Sequence, residues 1–251
     1  MKRISVFVIV ILTALSLKAQ QGMFLQSGRI EFEKRVNAYA RMDEQNKGED
    51  DSWSDAIKKG MSQYQVSYFD YSFSGNVALY KPGRENTDTK KSIWGDGPAE
   101  ENIVYTRLDS MQSISQKKVF EQIYLVKDSV RKINWKITDE TRKIAGFDCR
   151  RANALIMDSV YVVAFYTDAI VPSGGPESFS GLPGMILGVA LPHEHITWFA
   201  TKVLVDDIKE TSLTPPVKGK PVDSKGIREA ITKVMGKWGT GGNALIKSIM
   251  L

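Results

Sequence analysis

The chain has 251 residues, of which 42% are hydrophobic and 25% charged, and its formal net charge is +5 at pH 7. Lys2, Arg3 and Lys18 carry three of these charges, and subtracting them from five leaves +2, so the composition does not indicate a nucleic-acid-binding protein. The single cysteine, Cys149, excludes an intramolecular disulfide, and a lone thiol of this kind is expected to be buried and inert.

The N-terminus has the pattern of a secretory signal peptide. Met1-Lys2-Arg3 is basic, residues 4–17 are almost all apolar, and Lys18-Ala19 offers a small residue before a cut at Gln20. The apolar run is shorter than the roughly 20 residues that a membrane-spanning helix needs. We therefore expect a signal peptide over residues 1–19 and an exported mature chain, periplasmic or extracellular, without a transmembrane segment.

Strand patterns fill the middle of the chain. Residues 28–36 alternate apolar and charged side chains, and residues 64–73 and 77–80 flank the turn signal Ser74-Gly75-Asn76, which predicts a hairpin. Further strands are predicted over residues 102–108, 119–126, 132–137, 149–157, 160–167, 185–190 and 196–205.

Helix signals are few. Asp51 to Gly60 predicts a short helix, and Asp223 or Ser224 is a suitable N-cap for a second helix through Trp238, which Gly239 to Gly242 would end. Residues 81–100 predict a surface loop, and Thr214 to Pro221 predicts an extended linker.

These elements indicate a mainly β fold. The connections between predicted strands are mostly too short for crossover helices, which favours antiparallel neighbours. We expect a single antiparallel, curved or partly closed sheet, a meander or half-barrel, with one or two short helices including a C-terminal one. Residues 20–251 would form one such β domain, with a C-terminal linker and helix.

A glycine- and proline-rich stretch precedes the strand at Met185. It predicts a structured crossing between two strands, because glycine permits close approach and unusual backbone angles and proline fixes φ. Valine at Gly181 or Gly184 is expected to destabilise the fold. The positions expected to have this structural role are Gly174, Gly175, Pro176, Gly181, Leu182, Pro183 and Gly184.

The order of several segments resembles the bacterial GLPGLI family. The segments are Trp135-Lys136-Ile137-Thr138, residues 146–152, residues 164–170, Gly174-Gly175-Pro176 and residues 181–186, with residues 28–33 and 222–229 matching the family's opening strand and terminal segment. Met185 stands where the family's name has leucine, and Phe165 stands where the family often has tryptophan. The resemblance implies a secreted or periplasmic protein of largely unassigned role, and it supplies no catalytic residues.

The two histidines are the candidate metal ligands. If His193 and His195 lie on a strand, their imidazoles share one face about 7 Å apart and make a half-site for zinc or copper. Cys149 or Asp206 would have to supply a third ligand. The alternative, which we favour, is that Pro192 to His195 is a solvated hairpin turn.

Catalytic constellations are not evident in the sequence. There is no Gly-x-Ser-x-Gly motif, and Ser178, Ser180 or Cys149 would each need one of the two turn histidines as a base. Asp139-Glu140 and Asp206-Asp207 are expected to lie in solvated turns. Nucleotide-binding fingerprints are missing, so we assign neither a cofactor nor catalytic residues.

These observations favour a non-enzymatic exported envelope protein. It would bind a hydrophobic ligand or another envelope protein on the concave face of the sheet, where the aromatic residues of 64–73 can line a site. The alternative is a metal-binding periplasmic protein that uses His193 and His195, and a hydrolase is the least favoured interpretation.

Overall fold

The computed structural model describes residues 24–45, 52–87 and 99–251, and the fold is mainly β, as predicted. The predicted signal peptide and most of the predicted loop, residues 88–98, lie outside the described residues. No helix in the described ranges combines the length and the apolar character that crossing a membrane requires.

Twelve strands and four α-helices are present in the described part of the chain. The strands are β1 (Ser27–Asn37), β2 (Tyr64–Ser74), β3 (Val77–Pro82), β4 (Ile103–Arg107), β5 (Gln112–Val119), β6 (Gln122–Ser129), β7 (Lys136–Ile144), β8 (Phe147–Ile156), β9 (Val160–Thr167), β10 (Met185–Leu191), β11 (Ile196–Leu204) and β12 (Lys220–Val222). The helices are α1 (Ala38–Gln45), α2 (Ser52–Gly60), α3 (Ser224–Met235) and α4 (Gly239–Met250).

All twelve strands belong to one open sheet in the order β12-β6-β5-β4-β3-β2-β1-β11-β10-β9-β8-β7. Two meanders, β1 to β6 and β7 to β11, are joined where β1 pairs antiparallel with β11. Every neighbouring pair is antiparallel except β12 and β6, which run parallel, so the sheet is mixed rather than purely antiparallel.

The sheet curls at its β7 end. The Arg142 guanidinium on β7 lies 4.7 Å from the ring centroid of Phe199 on β11. In a flat sheet these strands would be about 19 Å apart, since four strand spacings separate them. The β7 end therefore folds back over the face that carries Phe199, and the prediction of a curved sheet is confirmed.

The opposite face of the sheet, here called the inner face, carries most of the core. On β1, the buried residues Ile30, Phe32 and Val36 alternate with more exposed ones, as a half-buried strand requires. Their neighbours on the same face include Phe69 of β2 and Trp198 of β11, which are nearly inaccessible to solvent. The loop between β9 and β10 and the helices α3 and α4 cover this face.

Two strand predictions need correction, and one strand was missed. The predicted strand over residues 119–126 is a hairpin, because Phe120, with φ 54°, turns the chain between β5 and β6. β5 itself was not predicted. The predicted strand over residues 132–137 begins only at Lys136 and continues to Ile144, so Asp139 and Glu140 lie on an exposed strand rather than in a turn.

The C-terminal helix was predicted correctly at its start but not at its end. The Asp223 side chain accepts a hydrogen bond from the Gly226 N–H at 2.7 Å and caps α3. Gly239 to Gly242 were expected to end the helix, yet α4 begins there after a short 3₁₀ turn. A Cβ at Gly242 would lie 2.1 Å from the Met235 carbonyl oxygen, so glycine allows α4 to start against the end of α3.

The glycine- and proline-rich stretch is the loop that connects β9 to β10 and packs on the inner face. A Cβ at Gly174 would lie 1.9 Å from the Tyr71 hydroxyl, and one at Gly175 would lie 2.8 Å from Ile186 Cβ. Glycine is thus required for the loop to reach the sheet, and Phe179 and Leu182 fill the space beneath it.

Gly184→Ala is expected to destabilise the protein more than Gly181→Ala. Both positions have positive φ, but a Cβ at Gly184 would lie 2.2 Å from the Thr167 carbonyl oxygen, whereas at Gly181 the nearest atom is 3.9 Å away. We expect Gly181→Ala to lower the free energy of unfolding by about 1–2 kcal/mol and Gly184→Ala by about 3 kcal/mol or more. Urea unfolding measures both, and equal losses would contradict the steric argument.

Candidate functional site

A group of polar side chains interrupts the apolar inner face of the sheet. Strand alternation places them there, because each occupies the inward-pointing register position of its strand. They are Lys34 of β1, Ser67 of β2, Tyr80 of β3, Lys117 of β5 and Trp198 of β11.

Glu177 joins this group from the loop between β9 and β10. Its side chain is 3% exposed, and its backbone has the left-handed φ of 51° that non-glycine residues seldom adopt. The Asn102 amide donates a hydrogen bond to Glu177 Oε2 at 3.1 Å, while Oε1 has no hydrogen-bond partner among the described residues. Burial raises the pKa of Glu177, although the cations of Lys117 and Lys34 oppose this shift.

Lys34 is neutralised by a carboxylate from the loop before β4. Lys34 Nζ lies 2.8 Å from Glu100 Oε1, and the Ser67 hydroxyl donates to Glu100 Oε2. The same ammonium lies 5.7 Å from the Trp198 ring and 5.9 Å from the Phe69 ring. A buried cation at this position is therefore paired and held among aromatic rings.

Tyr80 and Trp198 carry polar atoms beside Glu177, and the Tyr80 hydroxyl interacts with both the Trp198 indole and the Glu177 carboxyl group. Both side chains are at most 1% exposed, and neither Tyr80 Oη nor Trp198 Nε1 meets hydrogen-bond geometry with another described residue. Burial raises the pKa of the Tyr80 phenol, and the neighbouring Glu177 carboxylate raises it further. Phe69 stacks on Tyr80 with ring centroids 4.7 Å apart and fixes the phenol in place.

The end of α4 covers this polar group. Lys117 Nζ donates to the Ile249 carbonyl oxygen at 2.7 Å, Arg131 donates to the carbonyl of Met250, and Ser178 donates to that of Leu251. The last carbonyls of a helix lack partners within the helix and carry partial negative charge, so cations stabilise them. Burial nevertheless lowers the pKa of Lys117 to about 8.

A cavity of about 890 Å³ adjoins the polar group. Lys34, Glu100, Glu177 and Trp198 form its polar inner end. The lining is mixed. Its apolar part includes Val36, Met42, Met61, Met235, Leu245 and Ile249, and its charged part includes Arg41, Arg84, Glu85, Glu101, Lys118 and Glu121. This volume is within the range of small-molecule sites.

The histidines lie away from a strand. Pro192 to Glu194 form a 3₁₀ turn between β10 and β11, and His195 follows it with φ 54°. His195 Nε2 lies 3.4 Å from Glu44 Oε2. The turn interpretation is confirmed, and within residues 24–45, 52–87 and 99–251 no three His, Cys, Asp or Glu side chains are arranged to hold a metal ion.

The candidate nucleophiles, Cys149, Ser178 and Ser180, make contacts that stabilise the fold. Cys149 is buried on β8, its sulfur lies 3.6 Å from the Phe147 carbonyl oxygen, and burial raises its pKa to about 12, so the thiol is neutral. Ser178 bonds to the Leu251 carbonyl, and the carbonyl of Ser180 accepts from the Trp135 indole at 2.9 Å.

The sequence predicted the loop that carries Glu177, but it did not predict the buried polar group that Glu177 joins. Tyr80 and Trp198 look like ordinary core aromatics in the sequence. Lys34 gave the clearest available signal, because it occupies an apolar position of a strictly alternating strand. Lys117 does the same on β5, but that strand was not predicted.

Residues 153–188 match the model of a family described as "Protein of unknown function (Porph_ging)". This segment contains β9, the glycine- and proline-rich loop and Glu177, and it is less than half of the chain. No curated protein matches the chain.

Among solved structures, the chain is similar to PNGF-II in two crystal forms. In the P21 form the TM-score is 0.52 at 15% identity, covering 84% of this chain and 34% of that one; in the C2 form it is 0.51 at 15%, covering 84% and 33%. An uncharacterized conserved protein from Thermus thermophilus matches with a TM-score of 0.37 at 6% identity, covering 84% of this chain and 98% of that one. The chain spans about a third of the length of PNGF-II, and at this identity the likeness shows the fold.

Glu177→Gln is expected to stabilise the protein at neutral pH. Because the pKa of Glu177 is raised on folding, its favourable contribution is complete below the ordinary value of 4.5 and is lost as the pH rises through the folded pKa. The amide cannot ionise, so the melting temperature of the variant should exceed that of the wild type at pH 7 and approach it at pH 4. Glu229→Gln, on an exposed face of α3, is the matched control and should change little. A lower melting temperature for Glu177→Gln at pH 7 would contradict this.

Lys117 should make stability rise with pH. Its pKa is about 8 in the folded protein and 10.5 ordinarily, so the unfolded chain binds more protons between these values and the free energy of unfolding increases with pH. Between about pH 7 and about pH 9.5 the gain is about 2 kcal/mol relative to Lys117→Met. Urea unfolding at several pH values measures it, with exposed Lys225→Met as control. If the free energies of unfolding of the wild type and Lys117→Met change in parallel with pH, the prediction is wrong.

Proposed function

We propose that this chain is an exported GLPGLI-type protein that binds a molecule with a large apolar portion in the cavity between the inner face and α4. The observation that carries the proposal is the cavity of about 890 Å³ itself, part of whose lining is a set of methionine and aliphatic side chains. The N-terminal signal-peptide pattern supports export, and the order of the family segments, which the match over residues 153–188 overlaps, supports the family assignment.

The walls of the cavity favour a flexible apolar ligand. Met42, Met61 and Met235 come from three separate segments, and methionine is unbranched and adapts its shape to irregular apolar partners. Leu245 and Ile249 lie one turn apart on α4 and present apolar side chains to the same space. This apolar part of the lining can hold an alkyl chain.

Binding is favoured over chemistry by the state of the candidate nucleophiles. The Cys149 thiol has a raised pKa, and the Ser178 hydroxyl donates to the end of α4. Neither is prepared for attack on a substrate in the arrangement described above. The similarity to PNGF-II concerns the fold alone, so the proposal takes nothing from the activity of that protein.

The wild-type chain is expected to bind diphenylhexatriene, a hydrocarbon fluorophore, with a dissociation constant in the micromolar range. Ala38→Trp places a large side chain on the cavity wall and should weaken binding at least tenfold, because it fills the volume that the ligand needs. Thr232→Trp, on an exposed part of α3 outside the cavity, is the matched control and should bind like the wild type.

Fluorescence titration measures the affinity of the three proteins for diphenylhexatriene. The melting temperature of each protein shows whether it is folded. Native mass spectrometry of the chain purified from its own host should also show a bound amphiphile. Failure of the wild type to bind the fluorophore, or equal binding by folded Ala38→Trp, would overturn the proposal.

A further inference from the structure

Two exposed aromatic rings lie in contact at the rim of the cavity. Phe120, in the loop between β5 and β6, is 57% exposed, and Trp238, in the 3₁₀ turn after α3, is 54% exposed. Their ring centroids are 6.0 Å apart. Phe120 lines the cavity, as does Met235, which is buried beside Val234, a residue that is 55% exposed. Phe120, Val234 and Trp238 are here called the rim patch.

Phe120 occupies a backbone conformation that does not suit its residue type. Its φ of 54° lies in the left-handed region, and glycine, asparagine or aspartate is usual where a two-residue hairpin loop needs a positive φ. The ring is also more than half exposed, so packing within the chain does not offset this strain. A surface outside the chain that buries the ring would account for both features.

Basic side chains flank the rim patch on α3 and the turn after it. Lys233 precedes Val234 and Lys237 precedes Trp238, both lysines are exposed, and neither forms an ion pair with a described residue. Residues 230–251 contain three lysines and no acidic residue. The helix side of the rim is therefore positively charged.

The acidic side chains beside the rim patch do not cancel this charge. Glu101 is paired with Lys118 of β5 at 2.6 Å, so these two charges balance each other. Glu121, which follows Phe120, is exposed and contributes one negative charge against the two lysines. The charges around the patch complement an anionic partner.

We propose that the rim patch docks on an anionic lipid bilayer, with the rings of Phe120 and Trp238 at the level of the head groups and Lys233 and Lys237 beside the lipid phosphates. Aromatic rings favour the membrane interface, and lysines near it are attracted to anionic lipids. This docking goes beyond the proposed function. It would place the rim of the cavity at a bilayer, where molecules with a large apolar portion accumulate.

The test is co-sedimentation of the chain with lipid vesicles. One vesicle preparation is phosphatidylcholine alone, and the other contains about 30% phosphatidylglycerol, which is anionic. We expect the wild type to bind the anionic vesicles at least about fivefold more tightly at low salt, and to lose most of this difference at about 0.5 M NaCl, because salt screens the lysines.

Aromatic variants test whether the rings insert. Phe120→Asn and Trp238→Gln should each weaken binding to the anionic vesicles about tenfold, because each removes an apolar ring from the interface. Asparagine suits the left-handed backbone at position 120, so Phe120→Asn should keep or raise the melting temperature. Leu155→Asn, at a residue on β8 that is 61% exposed, is the matched control and should bind like the wild type.

Lysine variants test the charge. Replacing Lys233 and Lys237 together by glutamine should weaken binding to the anionic vesicles at least about tenfold and leave the weak binding to phosphatidylcholine unchanged. The matched control replaces two other exposed lysines, Lys136 and Lys209, by glutamine and should bind like the wild type.

The outcomes separate this proposal from that of a ligand in the cavity. If the folded wild type binds neither vesicle preparation, or binds both equally, the docking proposal is wrong and a protein becomes the expected partner of the rim patch. Unchanged vesicle binding by folded Phe120→Asn and Trp238→Gln would also overturn it. If the vesicles bind as expected but diphenylhexatriene does not enter the wild type, the docking surface stands and the ligand proposal falls.

Discussion

The bonds between the last turn of α4 and the inner face are the contacts on which the covered side of the sheet depends. Lys117 on β5 and Arg131 after β6 are cations beneath this helix, and burial lowers the pKa of each. The carbonyls at the end of α4 need donors because no further helical turn supplies them. Hydrogen bonds from Lys117 and Arg131 to these carbonyls therefore couple the docking of the helix to the burial of the two cations. Apolar packing of α3 and α4 against β5 and β6 adds to it.

The loop between β9 and β10 lies between the docked end of α4 and the cavity. Its glycines approach the sheet where a side chain would collide with Tyr71 or Ile186, and that approach brings Glu177 to the cavity end and Ser178 to the Leu251 carbonyl. The segment matched by the family of unknown function is therefore the segment that builds the polar end of the cavity. A motif that looked purely structural also positions a candidate ligand contact.

Most strands were predictable from the sequence because alternation is a local property. β1, β2 and β8 alternate in this way, β9 and β10 are instead short apolar runs bounded by turn residues, and the turn at Gly75 joins β2 to β3 as expected. The β5–β6 hairpin was hidden because Phe120 adopts a left-handed conformation that its residue type does not suggest. α4 was hidden because its glycines act through contact with α3, which is a tertiary effect. The polar group could not be predicted from the sequence for the same reason, because its residues come from five strands and a loop.

The energetics explain why the cavity, rather than the histidine turn, is the functional candidate. Glu177 combines a left-handed backbone, which costs about 1–3 kcal/mol in a folded protein, with a carboxyl group whose pKa is raised by burial. Tyr80, Trp198 and Lys117 add further unfavourable terms within the same small volume. The histidine turn has fewer such features: His195 has a φ of 54°, and its buried Nε2 meets no hydrogen-bond geometry with another described residue. Several destabilising features lie together at one end of the cavity. This is expected where selection has retained residues for binding although they lower the stability of the fold.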